Sequence, residues 1–226
     1  MPLNFRGVIP EEREKVISSF DFIDIAKEVA LEPFYPSQNF NSSSNEYSLE
    51  NQTGFRSGRN STYGITVSTP PTRIIDLTFE TKIDAPFTIS GDILVNIPMK
   101  INATSANDYH MEGFISGGMV ISGSSTLTTI DENKLSQTLT AVNTNVESKM
   151  AIKLNTSKAL KIRRGDYLKF TIEGWGAISI TGAGRTGEMW IGHDPSNSGS
   201  NGNANEDEFN KIGSRATIFL PIKLQL

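Results

Sequence analysis

The stretch Ile75-Asp-Leu-Thr-Phe-Glu-Thr-Lys-Ile83 decides the fold, because it alternates without a break. Ile75, Leu77, Phe79, Thr81 and Ile83 fall on one side of an extended chain; Asp76, Thr78, Glu80 and Lys82 fall on the other. A two-residue period marks a strand with one buried and one wet face. The same phase returns in Phe87, Ile89, Ile93, Val95, Ile97, Met99 and Ile101, opposite Thr88, Ser90, Asp92, Asn96 and Lys100. Pro98 falls on the outward set, which suits an edge strand or a bulge. Downstream, Met150, Ile152 and Leu154 alternate with Lys149, Ala151 and Lys153. Leu160 and Ile162, then Leu168, Phe170 and Ile172, flank Arg163-Arg-Gly-Asp166 as the arms of a hairpin would. Ile178 and Ile180 follow, and Ile218, Leu220, Ile222, Leu224 and Leu226 form a last strand with Pro221 pointing outward. Eight to ten strands therefore succeed one another without helical crossovers. That order excludes a parallel α/β sheet and predicts an all-β antiparallel sandwich of jelly-roll type.

Upstream of this core the signal changes. The first nine residues lack periodicity. Pro10 at a helix start, with Glu11 and Glu12 in the first turn, allows one short helix. Residues 1–19 thus read as an N-terminal arm, and residues 20–226 as a single domain. Phe20 to Ala30 becomes apolar and β-branched and reads as the first strand. In 36–64, 19 of 29 residues are Ser, Asn, Gln, Thr or Gly. Such a composition buries little, so a long polar loop is expected there, or one ordered by a neighbour.

At 226 residues the chain is long enough for one sizeable core. A net charge of −4 argues against a polybasic surface, and nucleic acid is not an expected partner. With no cysteine, disulfides, thiolate metal sites and a cysteine nucleophile drop out, and synthesis in a reducing cytoplasm fits best. No signal peptide or membrane-spanning apolar run is visible, so the protein is expected to be soluble and no membrane partner is expected.

Several motifs invite chemistry. Gly182-Ala-Gly-Arg-Thr-Gly187 matches a dinucleotide fingerprint, but a helix must follow those glycines, and Glu188-Met-Trp-Ile191 reads as a strand. It reads as a turn. Arg164-Gly-Asp166 matches an adhesion tripeptide, yet Gly and Asp are ordinary turn chemistry. Lys158, Lys161, Arg163, Arg164 and Lys169 form the one basic concentration, and alternation puts Lys161, Arg163 and Lys169 on a common outward face. That pattern is usually a solvated face; its alternative is contact with an acidic neighbour or nucleic acid. His110 and His193 are the only histidines. His193-Asp194 could pair a base with its orienter, but adjacent residues rarely take that geometry, so His193 reads as a strand-end residue. Asp194 to Glu208 invites calcium: Gly199 sits sixth from Asp194, but Ser196, Ser198 and Asn205 replace charged ligands. Asp194 alone survives as a weak metal candidate, and no cofactor is implied. Five N-x-S/T sequons begin at Asn41, Asn51, Asn60, Asn102 and Asn155 and read as unused. Trp175 and Trp190 read as core or interface packing, with a sugar platform as the alternative.

Two ends of the chain carry a resemblance. Phe20-Asp-Phe-Ile-Asp-Ile-Ala26 with Pro33-Phe-Tyr35 opens it, and Leu160 to Glu173, Ile191-Gly-His-Asp-Pro195 and Ala216 to Leu224 close it. Together these resemble structural proteins, of the shell or its decoration, from tailed viruses of bacteria and archaea. The resemblance covers about a third of the chain. It implies a jelly-roll virion component located in or on the head and carries no catalytic residues. Rigid sandwiches tile shells by their flat sides while arms and loops reach neighbours.

The function expected from all this is a capsid or capsid-decorating subunit. It would form homo-oligomers such as trimers and contact other capsid proteins, and it is expected not to be an enzyme. Its candidate contact residues are Lys161, Arg163, Arg164, Trp175, Trp190 and His193. The alternative is a receptor- or glycan-binding head of a viral fibre or adhesin, which would use the loops at one end of the sandwich, 194–208 among them. An exposed aromatic pair of Trp175 and Trp190 beside those loops would favour it. A hydrolase would need a carboxylate cluster that no spacing here identifies.

Overall fold

A computed structural model describes residues 29–41, 44–51, 61–103, 110–123, 127–179, 185–193 and 216–224. The expected arm at 1–19, the short helix, strand residues 20–28, and Asp194 with the loop that follows it lie outside them. Fourteen strands run through the described residues, more than the eight to ten expected. They are β1 (Val29–Asn41), β2 (Ser44–Glu50), β3 (Ser61–Thr66), β4 (Thr72–Lys82), β5 (Phe87–Ile89), β6 (Ile93–Asn102) and β7 (His110–Ser122). Then come β8 (Leu127–Leu135), β9 (Leu139–Val142), β10 (Asn145–Leu154), β11 (Leu160–Ile162), β12 (Tyr167–Ile178), β13 (Gly187–Gly192) and β14 (Thr217–Leu224).

The strands build the expected all-β sandwich of two sheets. In the first sheet, β10 and β11 flank β6 and β5; these flank β13 and β14, which pair outward with β3 and β1. In the second sheet the order runs β1, β2, β4, β12, β7, with β8 and β9 on the far side of β7. Pairing is antiparallel throughout except for a single parallel bridge between Ser48 and Glu80. β1 belongs to both sheets: Val29–Phe34 pair with β14 and Tyr35–Asn41 with β2. Pro33 and Pro36 bracket that crossing, where one ladder ends and the next begins.

Alternation places the core as the sequence indicates. Ile75, Leu77, Phe79 and Ile83 are buried, and Ile93, Val95, Ile97, Met99 and Ile101 face them from the other sheet. Phe79 and Phe170 stand opposite each other across β4 and β12, both wholly buried. The sheets approach closely where side chains are missing. A Cβ on Gly174 of β12 would stand 2.8 Å from the Met189 sulfur and 3.0 Å from Ile191 Cδ1, both on β13.

Three expectations are corrected. The polar segment 36–64 is not one long loop: its described residues contribute the end of β1, all of β2 and the start of β3. The β1–β2 hairpin runs from Tyr35↔Glu50 to Asn41↔Ser44, and a backbone ladder does not require apolar side chains. Arg163–Asp166 does not close a hairpin, because β11 pairs with β5 in the first sheet while β12 lies between β4 and β7 in the second. Pro98 is on neither an edge nor a bulge. It sits inside β6, between Asn96, the last partner of β14, and Met99, the first partner of β13. Pro221 sits in the same way between the β6 and β5 partners of β14. Proline is tolerated in these internal strands because the ladder is interrupted there.

Candidate functional site

The corner from β11 to β12 is the most chemically distinctive place in the described structure. Asp166 N donates to Arg163 O at 3.2 Å, and Gly165 has φ 89°. Positive φ at the third residue, with Arg164 before it on the ordinary side, defines a type II turn, which favours glycine at that position. Arg163 N donates to Asp166 Oδ2 at 2.9 Å, closing the turn a second time. Two backbone bonds then pin the corner to the end of β4: Gly165 N to Ile83 O at 2.7 Å and Ile83 N to Asp166 O at 2.8 Å.

Beside this pinned turn lies a cleft of about 600 Å³. Lys158, Lys161, Arg163 and Arg164 line it together with Thr128, Gly123 and Asp166. All four cations are exposed. None forms an ion pair among the described residues, whereas three cations on the sheet faces are paired: Arg73 with Glu173 at 2.7 Å, Lys153 with Asp92 at 2.6 Å and Lys169 with Glu80 at 3.0 Å. The carboxylate of Glu173, then that of Asp76, pushes the Arg73 guanidinium up from its ordinary value. Lys169, expected on the same face as Lys161 and Arg163, lies on the other sheet and outside the cleft.

A second cleft of about 740 Å³ adjoins the same end. Phe34, Leu49, Ile83, Phe87 and Ile222 contribute apolar lining; Glu32, Glu50, Asp84 and Lys82 contribute the charges. Among the described residues no group of His, Asp and Glu is arranged to hold a metal.

His193 follows the last residue of β13 and is buried, 1% exposed. Its Nε2 lies 3.0 Å from Thr62 Oγ1, and its ring packs edge-on against Tyr47 and at 5.6 Å from Phe79. Burial pushes its pKa down to about 3. It is a core residue, and among the described residues no carboxylate orients it.

The tryptophans stand on opposite outer faces. Trp190, 3% exposed, packs at 5.0 Å from the Tyr63 ring, with Lys100 Nζ at 5.9 Å. Beneath it Glu188 accepts from Tyr63 OH at 3.1 Å and from Asn102 Nδ2 at 2.6 Å. Trp175 is half-buried, stacked on Phe114 at 6.2 Å and 2°, and donates from Nε1 to Glu173 at 3.1 Å. Neither is an exposed platform and they cannot act as a pair, so the glycan-head reading loses its aromatic support.

One surface escaped the sequence reading. Leu94, Phe219 and Pro33 lie side by side across β6, β14 and β1 on the outer face of the first sheet, with Leu31 two residues along β1. Leu94 is 44% and Leu31 48% exposed; Phe219 and Pro33 are half-buried. The signal was available: Leu94 is an aliphatic residue on the outward phase, between Ile93 and Val95.

No family model and no curated protein matches this chain. Solved structures with some likeness include a CocE/NonD family hydrolase from Staphylococcus aureus in two crystal structures. These have TM-scores of 0.42 and 0.39 at 10% and 11% identity, covering 86% and 87% of this chain. Another is an aminopeptidase from a marine sediment Thaumarchaeota archaeon, with TM-score 0.44 at 7% identity over 88% of this chain. The chain spans 37% of the length of each. At such identity and with TM-scores under 0.5, the likeness assigns no chemistry. It does correct one expectation: the chain was expected not to be an enzyme, and that exclusion is withdrawn, because the structures it is similar to are a hydrolase and an aminopeptidase. The exclusion had rested on missing motifs, and missing motifs do not exclude a sandwich from belonging to an enzyme.

Proposed function

We propose that this chain is a structural subunit of a virus particle, of the shell or its decoration, and that it works by self-association. The carrying observation is the apolar row of Leu94, Phe219, Pro33 and Leu31 on the outer face of the first sheet. The equivalent face of the second sheet is charged, with Arg73, Asp76, Glu80, Lys169 and Glu173 forming ion pairs across it. Apolar patches of this kind, rimmed by polar residues, favour a protein partner. A second copy is the occupant that suits a flat, self-complementary row, since a two-fold axis lays the row against itself. The resemblance of the two chain ends to tailed-virus structural proteins supplies the particle, and neighbouring capsid proteins are the further partners it implies.

Light scattering after size exclusion tests this. The full chain is expected to form a defined oligomer built of dimers paired through this row. Leu94→Asp combined with Leu31→Asp is expected to yield a folded monomer. A wild-type chain that stays monomeric at high micromolar concentration overturns the proposal.

A further inference from the structure

From the cationic cleft at the β11–β12 corner we infer a binding site for an acidic saccharide, a sugar chain carrying sulfate or carboxylate groups. This inference does not rest on the self-association reading. Among the described residues, four cations and one carboxylate line the cleft: Lys158, Lys161, Arg163, Arg164 and Asp166. Like charges converging without internal partners repel one another, and an incoming anion relieves that repulsion.

Their positions are fixed by the fold. Lys161 stands on β11, locked to β5 through Thr88, and Arg163 and Arg164 ride on the turn that two backbone bonds hold to Ile83. Arginine forks placed this way meet sulfate or carboxylate oxygens bidentately.

Three observations select the ligand class. Asp166 gives one oxygen to Arg163 N, leaving its other to accept from a hydroxyl; a carboxylate among cations suits a ligand bearing both anions and hydroxyls. Among the described residues no aromatic side chain lines the cleft, so it offers no platform for stacking bases. The volume of about 600 Å³ falls within the range of small-ligand sites, room for one or two sugar rings rather than a tracking groove.

Isothermal titration of the full chain tests the site with three probes: a heparin tetrasaccharide, an oligogalacturonate tetramer, and single-stranded DNA of matched charge. At least one saccharide is expected to bind, more weakly as salt rises, and which one binds identifies sulfate or carboxylate as the recognised group. Arg163→Ala with Arg164→Ala is expected to weaken that binding by about tenfold or more. Its melting temperature should stay unchanged, since the turn is held by backbone and Asp166. Lys149→Ala, on the exposed side of β10 away from the cleft, should leave affinity as it is. Failure of both saccharides to bind overturns the inference. So does affinity that survives the double substitution, or equal affinity for the DNA.

Discussion

Acidification from pH 7 to pH 4.5 should destabilise this fold through one residue, His193, whose ring is enclosed by Tyr47 of β2 and Phe79 of β4. Nε2 is engaged with Thr62 at 3.0 Å, and Nδ1 has no hydrogen-bond partner among the described residues, so a second ring proton would be buried without an acceptor there. Burial therefore lowers the pKa to about 3, against an ordinary value of 6.5. The unfolded chain takes up a proton as pH falls through its ordinary value, while the folded chain refuses one until about 3. Between these values the unfolded state binds more protons, so the stability present above pH 6.5 is lost as pH falls and levels off only near pH 3. At about 1.4 kcal/mol per pH unit, the two units down to pH 4.5 remove roughly 2.7 kcal/mol. That is a large part of the roughly 5–15 kcal/mol typical of a domain. Urea unfolding at half-unit pH steps measures it, with His193→Gln as the reference: glutamine can keep the Thr62 contact but cannot titrate. The wild-type stability should fall more steeply than the variant's by about one proton over this window. Parallel slopes refute the reasoning. So does a His193 imidazole signal that titrates near 6.5, and with only two histidines in the chain the spectrum is assignable.

The packing makes further demands. Phe79→Ala, which removes a wholly buried ring opposite Phe170, should cost about 3–5 kcal/mol in denaturant unfolding. Gly64→Ala puts a Cβ 2.8 Å from the Ile74 carbonyl oxygen, a backbone atom that cannot swing aside. A loss of about 1–3 kcal/mol is expected, measurable as a lower urea midpoint. Lys169→Ala breaks the 3.0 Å pair with Glu80 on the exposed face, yet calorimetry should show a change below about 1 kcal/mol.

How much of this was readable in advance depends on the range of each interaction. The alternation from Ile75 to Ile101 reports a local choice, inward or outward, and it reappears as β4, β5 and β6 in the expected phase. Arg163–Asp166 was legible as a turn because Gly165 and Asp166 are local turn chemistry. Its partner was not, since β11 finds β5 more than 70 residues earlier and no local signal reports that pairing. The same limit hid the cleft: Thr128, Ile121 and the basic cluster meet only once β7, β8 and β11 are assembled. Polar composition misled at 36–64, where Ser37 and Gln38 are buried in a ladder built of backbone bonds. The prolines misled for a related reason. Pro98 and Pro221 mark places where a strand changes neighbours, which looks the same in sequence as an edge.

The two proposed surfaces share no residue, and that separates their tests. Leu94, Phe219, Pro33 and Leu31 come from β6, β14 and β1, whereas the cleft is lined from β7, β8, β11 and the corner after it. The apolar row itself includes none of the cleft's residues, but Lys161 stands on the same outer face. It pairs with Thr88 of β5, which pairs with Lys223, two residues beyond Pro221 and its partner Leu31. Leu94→Asp should abolish assembly while leaving the affinity of each isolated subunit for the saccharide unchanged. Arg164→Ala should do the reverse. Assembly would then matter through multiplicity: a ring or shell presents many cleft copies to one polymeric chain, and linked sites gain about 10²–10⁴ in avidity without a new contact. The wild-type oligomer should accordingly bind long heparin far more tightly than the tetrasaccharide, while the Leu94→Asp monomer should show little preference. An oligomer that binds long and short chains alike would mean that its clefts do not face a common surface, and the assembly would have to present them inward or singly.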